Sequence, residues 1–347
     1  MNKKAIIAMS GGVDSSVAAL LIKNSSYEPM GVTLSLIDSQ SQDIDDARKV
    51  CDRLGFSHTV LDLRAEFRKY VIGRFIDAYE NLTTPNPCII CNRYIKFGIL
   101  GDYARDLGYH FVATGHYAQI TEENGRFLLK KGKDQSKDQS YVLYSLTQEQ
   151  LSHTLFPLGA LSKEEAREIA MENGFTNAHK KDSQDICFVA NGKYAEFIEG
   201  YLGKTYEQGN FCDFDGNILG THKGLIRYTI GQRKGLGLAL PKPMYVCRLD
   251  KDSNSVILGD NADLFSDTLD AEDINLIALD RIDSSIRAEV KIRYSQKAQP
   301  ATVYQVDDNR LRIVFDEPQR AITPGQSAVL YDGDTVIGGG IICKRDL

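Results

Sequence analysis

The stretch Ser10-Gly11-Gly12-Val13-Asp14-Ser15 constrains this chain more than any other. It stands between two apolar runs, Ala5 to Ala8 and Val17 to Ile22. The first run reads as a short buried strand and the second as a helix, so the glycines occupy the turn between a strand and a helix N-terminus. Adjacent glycines let a bound anion approach the backbone closely, the unpaired amides of the helix start point toward it, and the serine hydroxyls add donors. A polyphosphate is the guest that suits such a turn. No Gly-Lys-Ser/Thr follows at the Walker spacing, and Gly-x-Gly-x-x-Gly is absent, so neither common nucleotide loop is present. An ordinary serine-capped glycine turn is the competing reading. The complete hexapeptide directly after a first strand weighs against it.

Strand and helix patterns alternate from there. Gly31 to Leu36 reads as a strand, and Ile44, Ala47, Val50, Cys51 and Leu54 recur at helical spacing before Gly55. His58 to Leu63 is a third strand, Arg64 to Leu82 a helix, and Phe111 to Tyr117 a further strand containing Gly115 and His116. The pattern predicts an α/β, doubly wound parallel sheet, with ligands beyond the carboxyl ends of its strands. Ser162, with Glu165 three residues on, predicts a capped helix start. From about residue 205 the chain changes to glycine-rich short strands, and His222 to Gly237 is basic, aromatic and flexible, as suits a nucleic-acid backbone. From about 271 alternating strands, among them Val290-x-Ile292-x-Tyr294 and Leu311-x-Ile313-x-Phe315, predict a small β-barrel. A chain of 347 residues is too long for one average domain. The expected division is 1–204 for nucleotide binding and catalysis, 205–270 for a small central RNA-binding domain, and 271–347 for the barrel.

With 42% hydrophobic and 25% charged residues the composition is that of a soluble protein, and no apolar run reaches membrane-spanning length. The first residues lead straight into a strand rather than a signal peptide, so a cytoplasmic protein without membrane contact is expected, acting as a monomer. The net charge of −6 leaves nucleic-acid binding to local basic patches. One such patch is Lys130, Lys131, Lys133 and Lys137, in a polar stretch that reads as a surface hairpin or loop. Seven cysteines, an odd number, argue against a disulfide scaffold and draw attention to individual thiols. Cys88 and Cys91 form a Cys-x-x-Cys behind two prolines, before a helix predicted to begin near Arg93. That placement favours thiolates and suits a metal or a redox pair, against the plainer reading of two cysteines filling space. Cys187 follows the basic pair Lys180-Lys181, which helps hold a thiolate.

Ser-Gly-Gly-Val-Asp-Ser resembles the signature of the PP-loop ATP pyrophosphatases. Asn86-Pro-Cys-Ile-Ile-Cys-Asn92, Ala113-Thr-Gly-His-Tyr117, Lys137-Asp-Gln-Ser-Tyr141, Asp185-Ile-Cys-Phe188 and Tyr228-Thr-Ile-Gly-Gln-Arg-Lys-Gly-Leu-Gly237 follow in order. Together they make nearly the whole chain similar to the tRNA-specific 2-thiouridylase family. The resemblance implies ATP-dependent thiolation of the wobble uridine in the anticodon loop of tRNA, with Mg2+ on the phosphates. It implies that Ala8, Met9, Ser10, Gly11, Gly12, Val13, Asp14, Ser15, Leu34 and Gly115 hold the nucleotide, with Asp14 a direct or indirect metal partner. Asn86, Pro87 and Cys88 would line the target base. Cys91 matches the attacking thiol, Cys187 the thiol that carries persulfide sulfur, and Lys137, Asp138, Gln139, Arg293 and Tyr294 match tRNA-contacting positions. A sulfur-donor protein or hydrosulfide is implied as a partner.

One position departs from the family. Much of it has aspartate where this chain has Cys88, and a thiol replaces an acid or base only in part. The departure completes a trio, Cys88, Cys91 and Cys187, resembling the iron–sulfur-dependent tRNA thiolases, in which three cysteines hold a [4Fe-4S] cluster whose fourth iron binds hydrosulfide. Persulfide relay and cluster-bound sulfide are both open at this point. Two rival functions are a PP-loop amide-forming synthetase, which needs none of the three thiols, and a non-catalytic RNA-binding module, against which the intact Asp14 and serines speak.

Overall fold

In the computed structural model, which describes residues 3–180 and 185–344, these segments build three sheets. The first contains β1 (Lys3–Ala8), β2 (Tyr27–Ser35), β3 (His58–Asp62) and β4 (Phe111–Ala113). After a hairpin of β5 (Ala118–Glu123) and β6 (Arg126–Lys131), β7 (Thr154–Leu155) completes it. All its pairings are parallel, in the order β3-β2-β1-β4-β7. Because successive strand residues point to opposite faces, β1 feeds two cores. Ile6 packs on one side with Phe67, Phe75 and Ile95, while Ala5 and Ile7 pack on the other with Val17 and Ala166. Strand order reverses between β1 and its neighbours β2 and β4, which opens the crevice where such sheets bind ligands.

The helices α1 (Val13–Lys23) and α2 (Ser41–Leu54) follow β1 and β2, and α2 ends, as its sequence predicts, on Gly55 in the left-handed conformation (φ 74°). Ser162 caps Lys163–Glu172 through a reciprocal bond pair with Glu165, again as read from sequence. Two details differ from expectation. The helix expected near Arg93 starts at Pro87, because Asn86 caps it and proline suits a first helical position. The strand expected to reach Tyr117 stops at Ala113, because the backbone of Gly115 turns in directly against the start of α1.

The central sheet holds β8 (Gly209–Cys212), β9 (Ile218–His222), β10 (Tyr245–Asp250) and β11 (Ser255–Gly259) in the order β10-β11-β8-β9; the β11–β8 pairing is parallel and the others antiparallel. The third sheet comprises β12 (Phe265–Leu276), β13 (Ile286–Lys291), β14 (Gln299–Asp307), β15 (Arg310–Arg320), β16 (Ser327–Asp332) and β17 (Thr335–Ile342). Pairing of β12 with β17 closes these strands into an antiparallel barrel. Val290, Ile292, Leu311, Ile313 and Phe315 fill it, on the alternating positions of the sequence. The hairpin β5–β6 leaves its own domain and continues the barrel sheet beyond β17, where Lys130 pairs with Thr335. Among the described residues no helix is long and apolar enough to cross a membrane.

Candidate active site

The turn after β1 runs over the N-terminus of α1, which no side chain caps. Gly11 has φ +69°, and a Cβ on it would lie 2.4 Å from the Asp43 carbonyl oxygen, so glycine is required there. A Cβ on Gly115 would meet the Asp14 carbonyl carbon at 2.7 Å and Ser15 N at 2.8 Å. Ser15 organises the loop: its Oγ accepts from the N–H and Oγ of Ser10, each at 3.2 Å, and donates to Gly12 O at 3.0 Å. Ala8 and Gly12 are half-buried, Met9, Val13 and Leu34 are buried, and Ser10 is exposed. The nucleotide residues expected from sequence therefore gather at the ends of β1, β2 and β4.

Asp14 shares that site with a residue the sequence reading passed over. Lys163 Nζ donates to both carboxylate oxygens of Asp14, at 2.7 and 2.8 Å, and Tyr117 OH donates to Oδ1 at 2.8 Å. The Lys163 side chain is only 9% exposed. Asp14 thus meets a cation from its own chain, and a metal would have to compete with that ammonium. A lysine in the first turn of a helix opposes the helix dipole, and that local misfit was the signal for Lys163 in the sequence.

The thiols come from the other side of the sheet edge. Asn86 Oδ1 accepts from Cys88 N at 3.1 Å, fixing the helix start that carries Cys88 and Cys91. From Cys91 to Ile99 the helix is wound as a π-helix, a form that recurs at functional sites. Cys91 is buried, whereas Cys88 and Cys187 are exposed. Protein nonetheless surrounds most of each sulfur, and this desolvation raises the thiols of Cys88 and Cys187 above the usual range, against the opposing charge of Lys96. Burial pushes Cys91 up to about 12, and the nearby Cys187 and Cys88 add to the rise. Because Cys91 responds to Cys187 and Cys88, and Cys187 to Cys88, the three share one neighbourhood. Lys96 also faces His116, which is tied to Thr114 Oγ1 at 2.7 Å; burial holds its imidazole neutral, well below its ordinary 6.5.

All three domains meet on the segment before Cys88. Thr84 N donates to Pro324 O and Gln326 Nε2 donates to Thr84 O, both at 2.8 Å, while Thr84 Oγ1 reaches Thr229 Oγ1 of the central domain at 3.3 Å. Tyr294, 43% exposed, stands edge-on to Tyr141 with Lys291 over both rings. Burial raises the Tyr294 phenol, and Asp138 and Cys88 add to the rise, so Tyr294 faces the Cys88 thiol. The other expected RNA contacts are engaged with protein. Arg293 Nη2 donates to Ala321 O at 2.6 Å and Thr323 Oγ1 at 2.8 Å. Gln139 exchanges bonds with the Tyr117 backbone, at 3.0 and 2.9 Å. Asp138 is buried and accepts from Gly132 N, Ser140 N and Ser140 Oγ, holding the turn that carries Lys137 and Gln139. Lys137, half-buried, sits in the same turn. Lys181 of the expected basic pair lies outside the described residues.

An uncapped helix start at the switch point of a parallel sheet, with a serine–glycine turn bent over it, defines a PP-loop nucleotide-binding protein of the HUP class. Family models agree. They match as tRNA methyl transferase HUP domain over residues 3–191, tRNA methyl transferase PRC-barrel domain over 195–260, and aminomethyltransferase beta-barrel domain over 266–342. The chain belongs to the tRNA-specific 2-thiouridylase family. It is 50% identical to tRNA-specific 2-thiouridylase MnmA of Clostridioides difficile (strain 630) over 357 aligned positions, covering 99% of each chain. It is 48% identical to the protein of that name from Acetivibrio thermocellus over 98% of this chain and 99% of the relative. Among solved structures, the U34-tRNA thiolase NcsA from Methanococcus maripaludis with its [4Fe-4S] cluster aligns at 18% identity and a TM-score of 0.36, over 58% of this chain and 67% of that one. That likeness is too slight to bear on the thiols.

Proposed function

We propose that the chain is an ATP-dependent tRNA-uridine 2-sulfurtransferase acting on the wobble uridine, with Ala8 to Ser15 holding ATP and Cys91 and Cys187 handling sulfur. The activity is that of the family, and the observation that carries the chemistry is the shared neighbourhood of Cys88, Cys91 and Cys187 beside a segment clasped by all three domains. The C2 carbonyl of uracil is a poor electrophile, and its oxygen a poor leaving group. In the first step the C2 oxygen attacks the α-phosphorus of ATP and pyrophosphate leaves, against the open N–H groups of α1. Magnesium enters with the phosphates of the nucleotide.

In the second step the terminal sulfur of a persulfide on Cys187 attacks C2 and AMP leaves. The thiolate of Cys91 then attacks the Cys187 sulfur, forming a Cys91–Cys187 disulfide, and the electron pair of the broken S–S bond goes to the sulfur now double-bonded to C2. An external thiol reduces the disulfide, and a sulfur-donor protein reloads Cys187. The difference in burial supports these roles. Exposed Cys187 is open to a donor, whereas buried Cys91 is shielded from solvent, with Lys96 the charge that favours its thiolate. Cys88, with Asn86 and Pro87, lines the base. An anticodon-loop base is unpaired and can be turned out of the loop at modest cost. The basic stretch Lys223 to Lys234 and the exposed Tyr294 suit the RNA backbone and a stacked base. The protein acts in the cytoplasm as a monomer.

Three thiols in one neighbourhood also favour a second reading, in which all three ligate a [4Fe-4S] cluster that supplies an iron for hydrosulfide. A cluster spreads its three thiols over three irons rather than grouping them on one ion, and the iron content of the chain decides between the two readings. Incubation with tRNA, ATP, magnesium and a persulfide donor is expected to give 2-thiouridine by mass spectrometry of the digested tRNA, with AMP and pyrophosphate in equal amounts. Full activity of Cys91→Ala or Cys187→Ala would instead favour an amide-forming synthetase. About four irons per anaerobically purified chain, lost in Cys88→Ala, would move the sulfur onto a cluster.

A further inference from the structure

The carbonyl oxygens of the two loop glycines are both tied behind the loop. Gly11 O accepts from Asn177 Nδ2 at 3.0 Å and from Lys180 Nζ at 3.3 Å. Gly12 O accepts from Ser15 Oγ at 3.0 Å and Ser16 Oγ at 2.9 Å. In a trans peptide the N–H points opposite to the C=O. Holding these two oxygens behind the loop therefore turns the N–H groups of Gly12 and Val13 to its open side. Neither N–H has an acceptor among the described residues.

Asn177 is placed for this and little else. It is buried, and its Nδ2 also donates to Ser16 Oγ at 2.9 Å. Ser16 has already given its proton to Gly12 O, so it can only accept, which fixes the orientation of the amide. The cost is visible, because Asn177 Oδ1 is buried without a partner among the described residues. Lys180 is held in turn by Asp43 at 2.7 Å and Asp46 at 3.1 Å. Asp43 is also the residue whose carbonyl confines Gly11, so the same short segment fixes that glycine on two sides.

We propose that Asn177 and Lys180 are positioning residues of the phosphate loop, which orient the Gly11–Gly12 peptide so that its N–H takes the pyrophosphate portion of ATP. The proposal rests on the reading of that loop as the ATP site. It separates the two ends of the nucleotide: the phosphates depend on Asn177 and Lys180, whereas the adenosine does not.

The test is calorimetric binding of magnesium pyrophosphate and, separately, of adenosine to the full chain and its variants. Asn177→Asp sets a carboxylate oxygen against Gly11 O. It is expected to weaken pyrophosphate binding by about tenfold or more, as loss of an organising hydrogen bond plus a repulsion would, with adenosine affinity unchanged. Lys180→Met, at a half-exposed position that tolerates change, is expected to weaken pyrophosphate severalfold, with recovery in Lys180→Arg. It keeps the test open should the buried Asn177 variant not fold. Wild-type pyrophosphate affinity in both variants, or a parallel fall in adenosine affinity, overturns the proposal. A wild type that binds pyrophosphate but does not thiolate tRNA overturns the proposed activity and leaves this inference standing.

Discussion

The phosphate loop and the thiol segment are held in different ways. Within the loop, Ser10, Gly12, Ser15 and Ser16 bond one another across five residues or fewer. The thiol segment borrows its shape from afar, since the Thr84–Gln326 bond spans 242 residues and the Thr84–Thr229 bond 145. The loop's distant partners, Asn177 and Lys180, belong to its own domain, so it forms when that domain folds, whereas the second exists only when all three domains are docked. The difference matches the chemistry. A polyphosphate is the same in every turnover, but the base must be admitted with its tRNA.

Substitutions on the two sides should separate two half-reactions. The largest effect is expected from Cys187→Ala, which should cut thiolation at least about a thousandfold by removing the sulfur carrier. tRNA-dependent pyrophosphate release should persist, because the loop is untouched; if it vanished with thiolation, the two regions would not be separable. Gly11→Ala is expected to do the converse. A positive φ and a Cβ 2.4 Å from the Asp43 oxygen strain the loop by about 1–3 kcal/mol, enough to weaken ATP roughly ten- to a hundredfold in a binding titration.

Gly325→Ala sharpens the comparison from the barrel side. Gly325 has φ +87°, and its Cβ would lie 2.8 Å from Thr84 N, so the clasp on the thiol segment should loosen. Turnover should fall about tenfold, the equivalent of 1.4 kcal/mol, while ATP affinity holds. Equal losses in both would show that the barrel also shapes the loop. The smallest effect is on pH dependence of stability. His116 is neutral in the fold, its pKa depressed by burial, so its contribution is present above 6.5 and is lost as pH falls below that value. Cys51 is raised by burial from 9.0 to about 12, so the stability it favours is present below 9.0 and is lost as pH rises from there toward 12. The melting temperature should be highest between these limits, and His116→Gln should lessen the acid-side fall, which His58 and His222 share, and leave the alkaline side unchanged.

What could be read from the sequence follows the same division. The turn from Ser10 to Ser15, the capped helix at Ser162 and the alternation of Leu311, Ile313 and Phe315 are all written in neighbouring residues, and the structure has them where the pattern set them. The partners of Lys163, Asn177 and Gly325 could not be read this way, since they lie 149 (Asp14), 166 (Gly11) or more residues distant in the chain. The burial of Asp138 was hidden for a related reason. A carboxylate in a polar, lysine-rich stretch reads as surface, but its partners, Gly132 and Ser140, fold the turn around it and take it out of water.

The hairpin β5–β6 adds a dependence on the order of synthesis. Lys131 Nζ rests on Gly333 O, 202 residues further along the chain. At a translation rate of roughly 5–20 residues per second, the hairpin waits on the order of ten to forty seconds for the strand it will join. Through that interval β6 presents an open edge on a growing polypeptide, an invitation to pair with a neighbouring nascent chain. Lys130 and Lys131 stand on that edge, and their charge guards it until the barrel arrives.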